Sequence, residues 1–289
     1  MTTTTPVQAL VALLDLEMIE VNIFRGVSPD DRRPRVFGGQ VAGQALVAAG
    51  RTVEQGTVHS LHAYFLRPGD PAIPILYEVD RIRDGRSFTT RRAVAIQNGQ
   101  AIFTMSASFH VAEQRGLEHQ LPMPDAPDPE SLPTLQELLA PVRDEFAAWL
   151  SRRSAIDVRY ISPLPAPLRT PGPPLQRMWF RANDTLPDDP LLHACVVAYA
   201  SDLWLLDTAL VPHDVRFSDA TFMGASLDHA MWFHQPFRAD RWLLYDQDSP
   251  IAHGARALAR GLIFTQDGRL AVSVVQEGLT RVVDPERRR

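Results

Sequence analysis

The chain has 289 residues, 45% of them hydrophobic, enough to bury a substantial core as one large domain or two small ones. Its 29 basic residues against 34 acidic ones leave a formal charge of -5, which argues against nucleic acid as the main partner. All 29 basic residues are arginine, so a Walker A phosphate loop, a Schiff-base lysine and a Ser-Lys dyad are excluded outright.

Local motifs narrow the field further. No run of 18 apolar residues occurs, and the first residues, Met1-Thr2-Thr3-Thr4-Thr5-Pro6, have no basic character, so neither a membrane span nor a secretory signal is expected. The single cysteine, Cys195, can form neither an internal disulfide nor a CxxC clip. A cytoplasmic location is the expectation. GxGxxG, GxSxG and HExxH are all missing, so no dinucleotide cofactor, nucleophile elbow or metal is expected.

In chain order, the first strong element is a helix over 39–53, where Val41, Ala42, Ala45, Leu46, Ala48 and Ala49 leave little polar face. A helix apolar nearly all round must be enclosed. An outer strand over 75–83 follows, then a hairpin over 91–103 turning at Asn98-Gly99, a preferred pair for a type I′ turn. Twelve of the 24 prolines fall between Pro122 and Pro174, which marks a linker. Within it, Leu138, Leu139, Val142, Phe146, Trp149 and Leu150 carry helical spacing and predict a helix over 135–153.

The second half repeats the first. Asp189-Pro190, a cap followed by proline at the first helical position, starts an apolar helix expected to run through Leu206. A strand over 242–247 and a hairpin over 260–272, turning at Asp267-Gly268, echo the first-half hairpin 169 residues later. Tyr64-Phe65-Leu66-Arg67-Pro68 is likewise echoed by Trp232-Phe233-His234-Gln235-Pro236. The pattern implies an internal duplication of α+β class: a buried helix wrapped by an antiparallel sheet, made twice, which is a double hotdog. The expected division is an N-terminal repeat over 1–115, a proline-rich linker over 116–176 and a C-terminal repeat over 177–289.

Asp202 stands out because it lies in the most apolar helical stretch of the chain. A buried carboxylate is costly unless partnered, and such a group suits a general base. The competing reading is a helix-end or surface residue, or one paired structurally with arginine. Ser226 and Gln276, taken singly, read as ordinary turn or sheet residues. His229 and His234 are five apart in a strand, so they point to opposite faces, and a packed, hydrogen-bonded role fits them better than a catalytic one. Cys195, between Ala194 and Val196, reads as a small buried residue rather than a nucleophile. Arg81, Arg83, Arg86, Arg91 and Arg92 read as solvated strand edges, with phosphate contact the alternative for some of them.

Several segments together resemble the acyl-CoA thioesterase II family, the TesB-type enzymes. They are residues 36–46, 58–70 and 83–88 in the first half, and 199–203, 227–234 and 275–278 in the second. The resemblance implies a double hotdog that hydrolyses fatty acyl-CoA, with catalytic residues in the second half only: Asp202, Ser226 and Gln276. The resemblance puts a threonine or serine at the second of these positions; Ser226 departs from the members that use threonine, keeping the hydroxyl and losing a methyl. Ala107 falls at the repeat position of Gln276, so the first half is expected to be silent. Acyl-CoA is the expected partner, with no nucleic acid and no membrane, in a homodimer or homotetramer. A non-catalytic acyl-CoA binding protein and a hotdog enoyl-CoA hydratase are the alternatives.

Overall fold

A computed structural model of the protein describes residues 4–29, 34–113, 116–142 and 154–283. The N-terminal part contributes α1 (Pro6–Leu14), β1 (Glu17–Glu20), β2 (Ile23–Gly26), α2 (Gly38–Gly50), β3 (Thr57–Phe65), β4 (Ile75–Asp84), β5 (Phe88–Gln97) and β6 (Gln100–His110). After α3 (Leu135–Leu139) come β7 (Ile156–Ser162), β8 (Leu175–Ala182), α4 (Pro190–Ser201), β9 (Phe222–Ser226), β10 (Asp228–Phe233), β11 (Leu243–His253), β12 (Arg256–Thr265) and β13 (Leu270–Val282).

The thirteen strands among the described residues form one sheet in the order β1-β2-β4-β5-β6-β3-β10-β13-β12-β11-β8-β7, with β9 beside β13. Read from its centre outward, each half has the same order of counterparts. The halves join edge to edge at β3 and β10, where Leu61 pairs with Met231 and Ala63 with His229. That antiparallel pairing consumes the edge each half would otherwise expose.

One helix lies within each half, and the two helices pack on one another. Every residue of α2 from Gly39 to Ala49 is buried, which is why the sequence offers so little polar face. α4 begins with the Asp189 side chain accepting from the Leu191 N–H and with Pro190 in its first turn. Contact between the helices is made by glycine. A methyl added at Gly39 would sit 2.4 Å from the Tyr199 carbonyl oxygen, and one at Gly43 would sit 3.2 Å from that of Cys195. The helices run antiparallel through this contact, which brings the start of α2 to the end of α4.

Three expectations change. α4 ends at Ser201, not Leu206; Asp202 is its C-cap, and a separate 3₁₀ turn, Leu205–Leu210, continues the chain. At the helix end the Leu203 N–H bonds the Ala200 carbonyl, three residues back, and the Asp207 N–H bonds the Trp204 carbonyl, so the chain tightens into i→i+3 turns. Asn98 and Gly99 both have positive φ, as a type I′ turn demands, whereas at the second hairpin only Gly268 does. There the Gly268 N–H bonds the Thr265 carbonyl and the loop is longer. Arg91, expected in solvent, is fully buried, while Arg81, Arg83, Arg86 and Arg92 are exposed. Of the helix expected over 135–153, α3 accounts for the start, and 143–153 lie outside the described residues.

The proline-rich segment is packed down rather than slack. Met123, Ala126 and Leu132 cover a cluster of Trp179, Trp242, Leu244 and Phe264. Both indole N–H groups donate to it, Trp179 to the Pro127 carbonyl at 2.9 Å and Trp242 to Glu130 at 2.8 Å. The segment also contains β7, which pairs with β8 as the last strand of the sheet.

Close helix packing gives the first prediction. Gly39→Ala forces α2 and α4 apart and should lower the melting temperature by roughly 2–10 °C, the effect of an overpacked core methyl. Gly172→Ala, where an added methyl meets nothing within 4 Å, is the control. Equal melting of Gly39→Ala and wild type would show that the helices tolerate separation.

Candidate active site

Asp202 is brought to the junction of the two halves by the end of α4. Two donors converge on one of its oxygens: Gln276 Nε2 reaches Oδ1 at 2.6 Å, and the Ser226 hydroxyl reaches the same atom at 3.1 Å. Its other oxygen faces the start of α2, where a methyl added at Gly38 would lie 2.7 Å from Oδ2 and 2.9 Å from the Phe65 ring. Only glycine leaves room for the carboxylate against that helix. The N-cap residue of α2, Phe37, has no polar side chain, and its ring packs edge-on against Tyr199 at 5.1 Å. First-turn N–H groups have no intrahelical acceptors, so this end presents donors and positive partial charge beside Asp202.

The strand that carries Ser226 is broken for a reason. Ser226 pairs with Gly278, but Ala230 pairs with Val275, so four steps on one strand match three on the other. This is a bulge, which re-aims side chains. With regular alternation, Ser226 and His229 would face opposite sides, being three residues apart. The extra residue turns both inward. Backbone bonding around the break is repaired by Asp228, whose Oδ1 accepts from the Glu277 N–H at 2.7 Å, while the Leu227 N–H donates to the Glu277 carbonyl at 2.9 Å. The Leu227 carbonyl in turn accepts from the Phe65 N–H at 2.9 Å, and Arg35, just before α2, donates to the Gly224 carbonyl at 2.7 Å. Contacts from the first half therefore hold β9 in place.

Gln276 is fully buried on β13, among the inward positions Val274 and Gly278. Its Nε2 is taken by Asp202, and its Oε1 has no hydrogen-bond partner among the described residues. Asp202, Ser226 and Gln276, far apart in sequence, are thus assembled on one carboxylate oxygen. His229 is buried and bonded to Ser201 Oγ at 2.9 Å, whereas His234 lies outside, bonded to Ser273 at 2.8 Å. Burial alone pushes the His229 ring down to about 4, so it is neutral near pH 7. Cys195 is inaccessible, and burial pushes its thiol well above the usual range, with Asp189 adding to the shift. Tyr245 is buried too; its hydroxyl is pushed up by burial first and by the Asp202 charge second.

The equivalent place in the first half has different chemistry. α2 is closed by Arg51 where α4 has Asp202, and Arg51 turns outward to Asp15 and the Leu16 carbonyl. Ala107 occupies the inward β6 position corresponding to Gln276. Opposite Ala107 stands Arg91, whereas opposite Gln276 stands Ala259. The Arg91 guanidinium fills that space. It donates to Thr52 Oγ1 at 2.8 Å, to the Thr52 carbonyl at 3.0 Å and to the Arg83 carbonyl at 3.1 Å, and it pairs with Asp84.

Comparisons with known proteins agree across nearly the whole length. A model of the family described as "Acyl-CoA thioesterase" matches residues 156–279, and one described as "Acyl-CoA thioesterase N-terminal domain" matches 28–110. The chain is 42% identical to acyl-coenzyme A thioesterase 8 of Homo sapiens, covering 93% of this chain and 88% of that one. It belongs to the acyl-CoA thioesterase family. Acyl-CoA thioesterase 2 of Haemophilus influenzae is 41% identical, covering 94% of this chain and 96% of the relative. Among solved structures, an acyl-CoA thioesterase II, TesB2, from Mycobacterium marinum is 50% identical with a TM-score of 0.77, covering 95% of this chain and 97% of that one.

The fold of this thioesterase is accordingly a double hotdog, and its activity is hydrolysis of acyl-CoA thioesters. Gly38, Phe65, Ser201 and Tyr245 are neighbours of Asp202 that sequence reading did not single out. Gly38 lay within the segment 36–46 that carried the family likeness, but only the helix–helix contact shows why it must be glycine.

The neutral, buried His229 makes stability depend on pH. A ring at about 4 when folded and near 6.5 when unfolded binds its proton more tightly in the unfolded chain. Its contribution is full above pH 6.5 and is lost as pH falls towards 4, an effect of about 3 kcal/mol. Urea unfolding of wild type and His229→Gln across that window should show a steeper acid loss for wild type. Parallel curves would mean that His229 does not titrate from a buried, neutral state.

Proposed function

We propose that this thioesterase hydrolyses fatty acyl-CoA with Asp202 as general base, Ser226 and Gln276 orienting the attacking water, and no covalent intermediate. Convergence of two donors on Asp202 Oδ1, beside the start of α2, carries this reading. The water oxygen bonds to the thioester carbonyl carbon while its proton passes to Asp202. Negative charge collects on the carbonyl oxygen, where N–H groups of the first turn of α2 stabilise it. Collapse breaks the C–S bond, and the proton on Asp202 goes to the departing CoA thiolate, leaving fatty acid and free thiol.

Each side chain has a definite task. The Ser226 hydroxyl, donating to Asp202, keeps lone pairs for the water, and Gln276 Oε1 is a buried acceptor for its second proton. A thioester is activated enough that one base, worth roughly 10²–10⁴-fold, plus positioning suffices. The Phe37–Tyr199 ring pair and Phe65 place aromatic surface beside the start of α2, of the kind an acyl chain needs.

The same reading assigns one working site per chain, in the C-terminal repeat over 177–289, with the repeat over 1–115 supplying α2 and the segment over 116–176 linking them. We place the enzyme in the cytoplasm as a homodimer or homotetramer. Support for assembly comes from the outward side of the central strands, where Tyr64 is exposed beside the His62–Trp232 ring pair. Light scattering at micromolar protein should give a multiple of the 32.2 kDa chain mass, and a monomer would overturn this assignment.

Thiol release from acyl-CoA, followed with a thiol reagent, separates hydrolysis from mere binding and from hydration of an enoyl-CoA. Asp202→Asn should remain folded and lose at least about 10²-fold in kcat. Gln276→Ala should abolish most activity, while Ser106→Ala and Ser108→Ala in the first half leave it intact. Near-wild-type turnover by folded Asp202→Asn would remove that residue from the chemistry.

A further inference from the structure

His229 is enclosed completely and touches the residue next to Asp202 in the chain. Its Nε2 lies 2.9 Å from Ser201 Oγ, and that hydroxyl also lies 3.1 Å from the Ala198 carbonyl. A carbonyl only accepts, so when the hydroxyl proton goes to Ala198, or to the Met231 sulfur 3.7 Å away, the serine oxygen accepts from the ring, which is then the neutral tautomer with its proton on Nε2. Nδ1 is left as an acceptor with no hydrogen-bond partner among the described residues.

We propose that His229 is a positioning residue for thioester hydrolysis: its Nε2–H holds Ser201, fixing the last turn of α4 and with it the direction of the Asp202 carboxylate. This rests on Asp202 being the base. The need for such a tether follows from where Asp202 stands. It is a C-cap, at the end of a helix whose final carbonyls have no intrahelical donors and whose last turn is prone to fray. Ser201 is gripped from three sides: by its own bond to Ala198, by His229, and by the Tyr245 hydroxyl, 3.5 Å from its carbonyl oxygen. The strand bulge that aims Ser226 at Asp202 Oδ1 also aims His229 at Ser201, so hydroxyl and tether are set by one backbone feature. A displacement of about 1 Å in a reacting group can cost roughly 10²-fold in rate, so a small shift of this turn suffices to matter.

The test compares His229→Leu, His229→Gln and Ser201→Ala, each in wild-type and Asp202→Asn backgrounds, by steady-state thiol release. Leucine removes both ring nitrogens; glutamine restores a donor near Nε2; Ser201→Ala removes the acceptor and changes little volume. His229→Leu and Ser201→Ala should each lower kcat roughly tenfold or more with KM changed less than about twofold, and together they should cost no more than either alone. His229→Gln should recover most of kcat. In Asp202→Asn, neither change should lower the residual rate further. If His229→Leu fails to fold, Ser201→Ala and His229→Gln carry the same comparison. Wild-type kcat in folded Ser201→Ala or His229→Leu beside an impaired Asp202→Asn would overturn the inference alone. An equal loss in both backgrounds would do the same. An unimpaired Asp202→Asn would remove the base and the tether together.

Discussion

A carboxylate at the C-terminal end of a buried helix meets the negative end of the helix dipole, in a place where water cannot solvate it freely. Asp202 is in that position, and much of the second half is arranged to supply it with donors. Gln276 comes from the buried face of β13, and Ser226 comes from β9, which the bulge at 227–229 turns toward the helix. The start of α2 comes from the other half of the molecule, held at contact distance by glycine packing against α4. Neither half could build this site alone. The edge-to-edge pairing of β3 with β10 sets the two helices in register, and the Phe65 and Arg35 contacts carry that register to the strand bearing Ser226.

Duplication gives the chain two such helix ends, and their differences are chemical rather than architectural. Strand order is mirrored about β3 and β10, yet Arg51 replaces Asp202, Ala107 replaces Gln276, and Arg91 fills the space opposite Ala107. A buried guanidinium is tolerated only because its donors meet Thr52, the Arg83 carbonyl of β4, the Thr90 carbonyl of its own strand and Asp84. The first half thus keeps its fold with an internal cation at the place where the second half gathers polar groups around an anion. Its contribution to the junction is the N-terminus of α2.

The fold was readable because its signals are local and repeated: two apolar helices, two Gly-containing hairpin turns and the same spacing between them. Apolar composition persists past Ser201 to Leu206, so the sequence does not mark the point where α4 gives way to a 3₁₀ segment. Arg91 is hidden from sequence reading for a related reason. A strand's alternation assigns the face, but only the absent side chain at Ala107 shows that the inner face has room for an arginine. Asp202 announced itself by being out of place, whereas Ser226 and Gln276 entered through family likeness. No periodicity reveals a bulge, and it is the bulge that places Ser226 and His229 on the same side. Gly38 and Ser201 were hidden because their importance lies in what they touch across the fold, at distances that sequence spacing does not encode.

Single-turnover hydrolysis in oxygen-18 water, with enzyme in excess over acyl-CoA, tests the central claim most directly. A water activated by Asp202 and delivered to the carbonyl carbon puts one oxygen-18 into the fatty acid and none into the protein. Mass spectrometry of the peptide containing Asp202 should therefore show an unlabelled carboxylate. Label in Asp202, with unlabelled fatty acid released in that first turnover, would show that the carboxylate had attacked the thioester itself and would contradict the account.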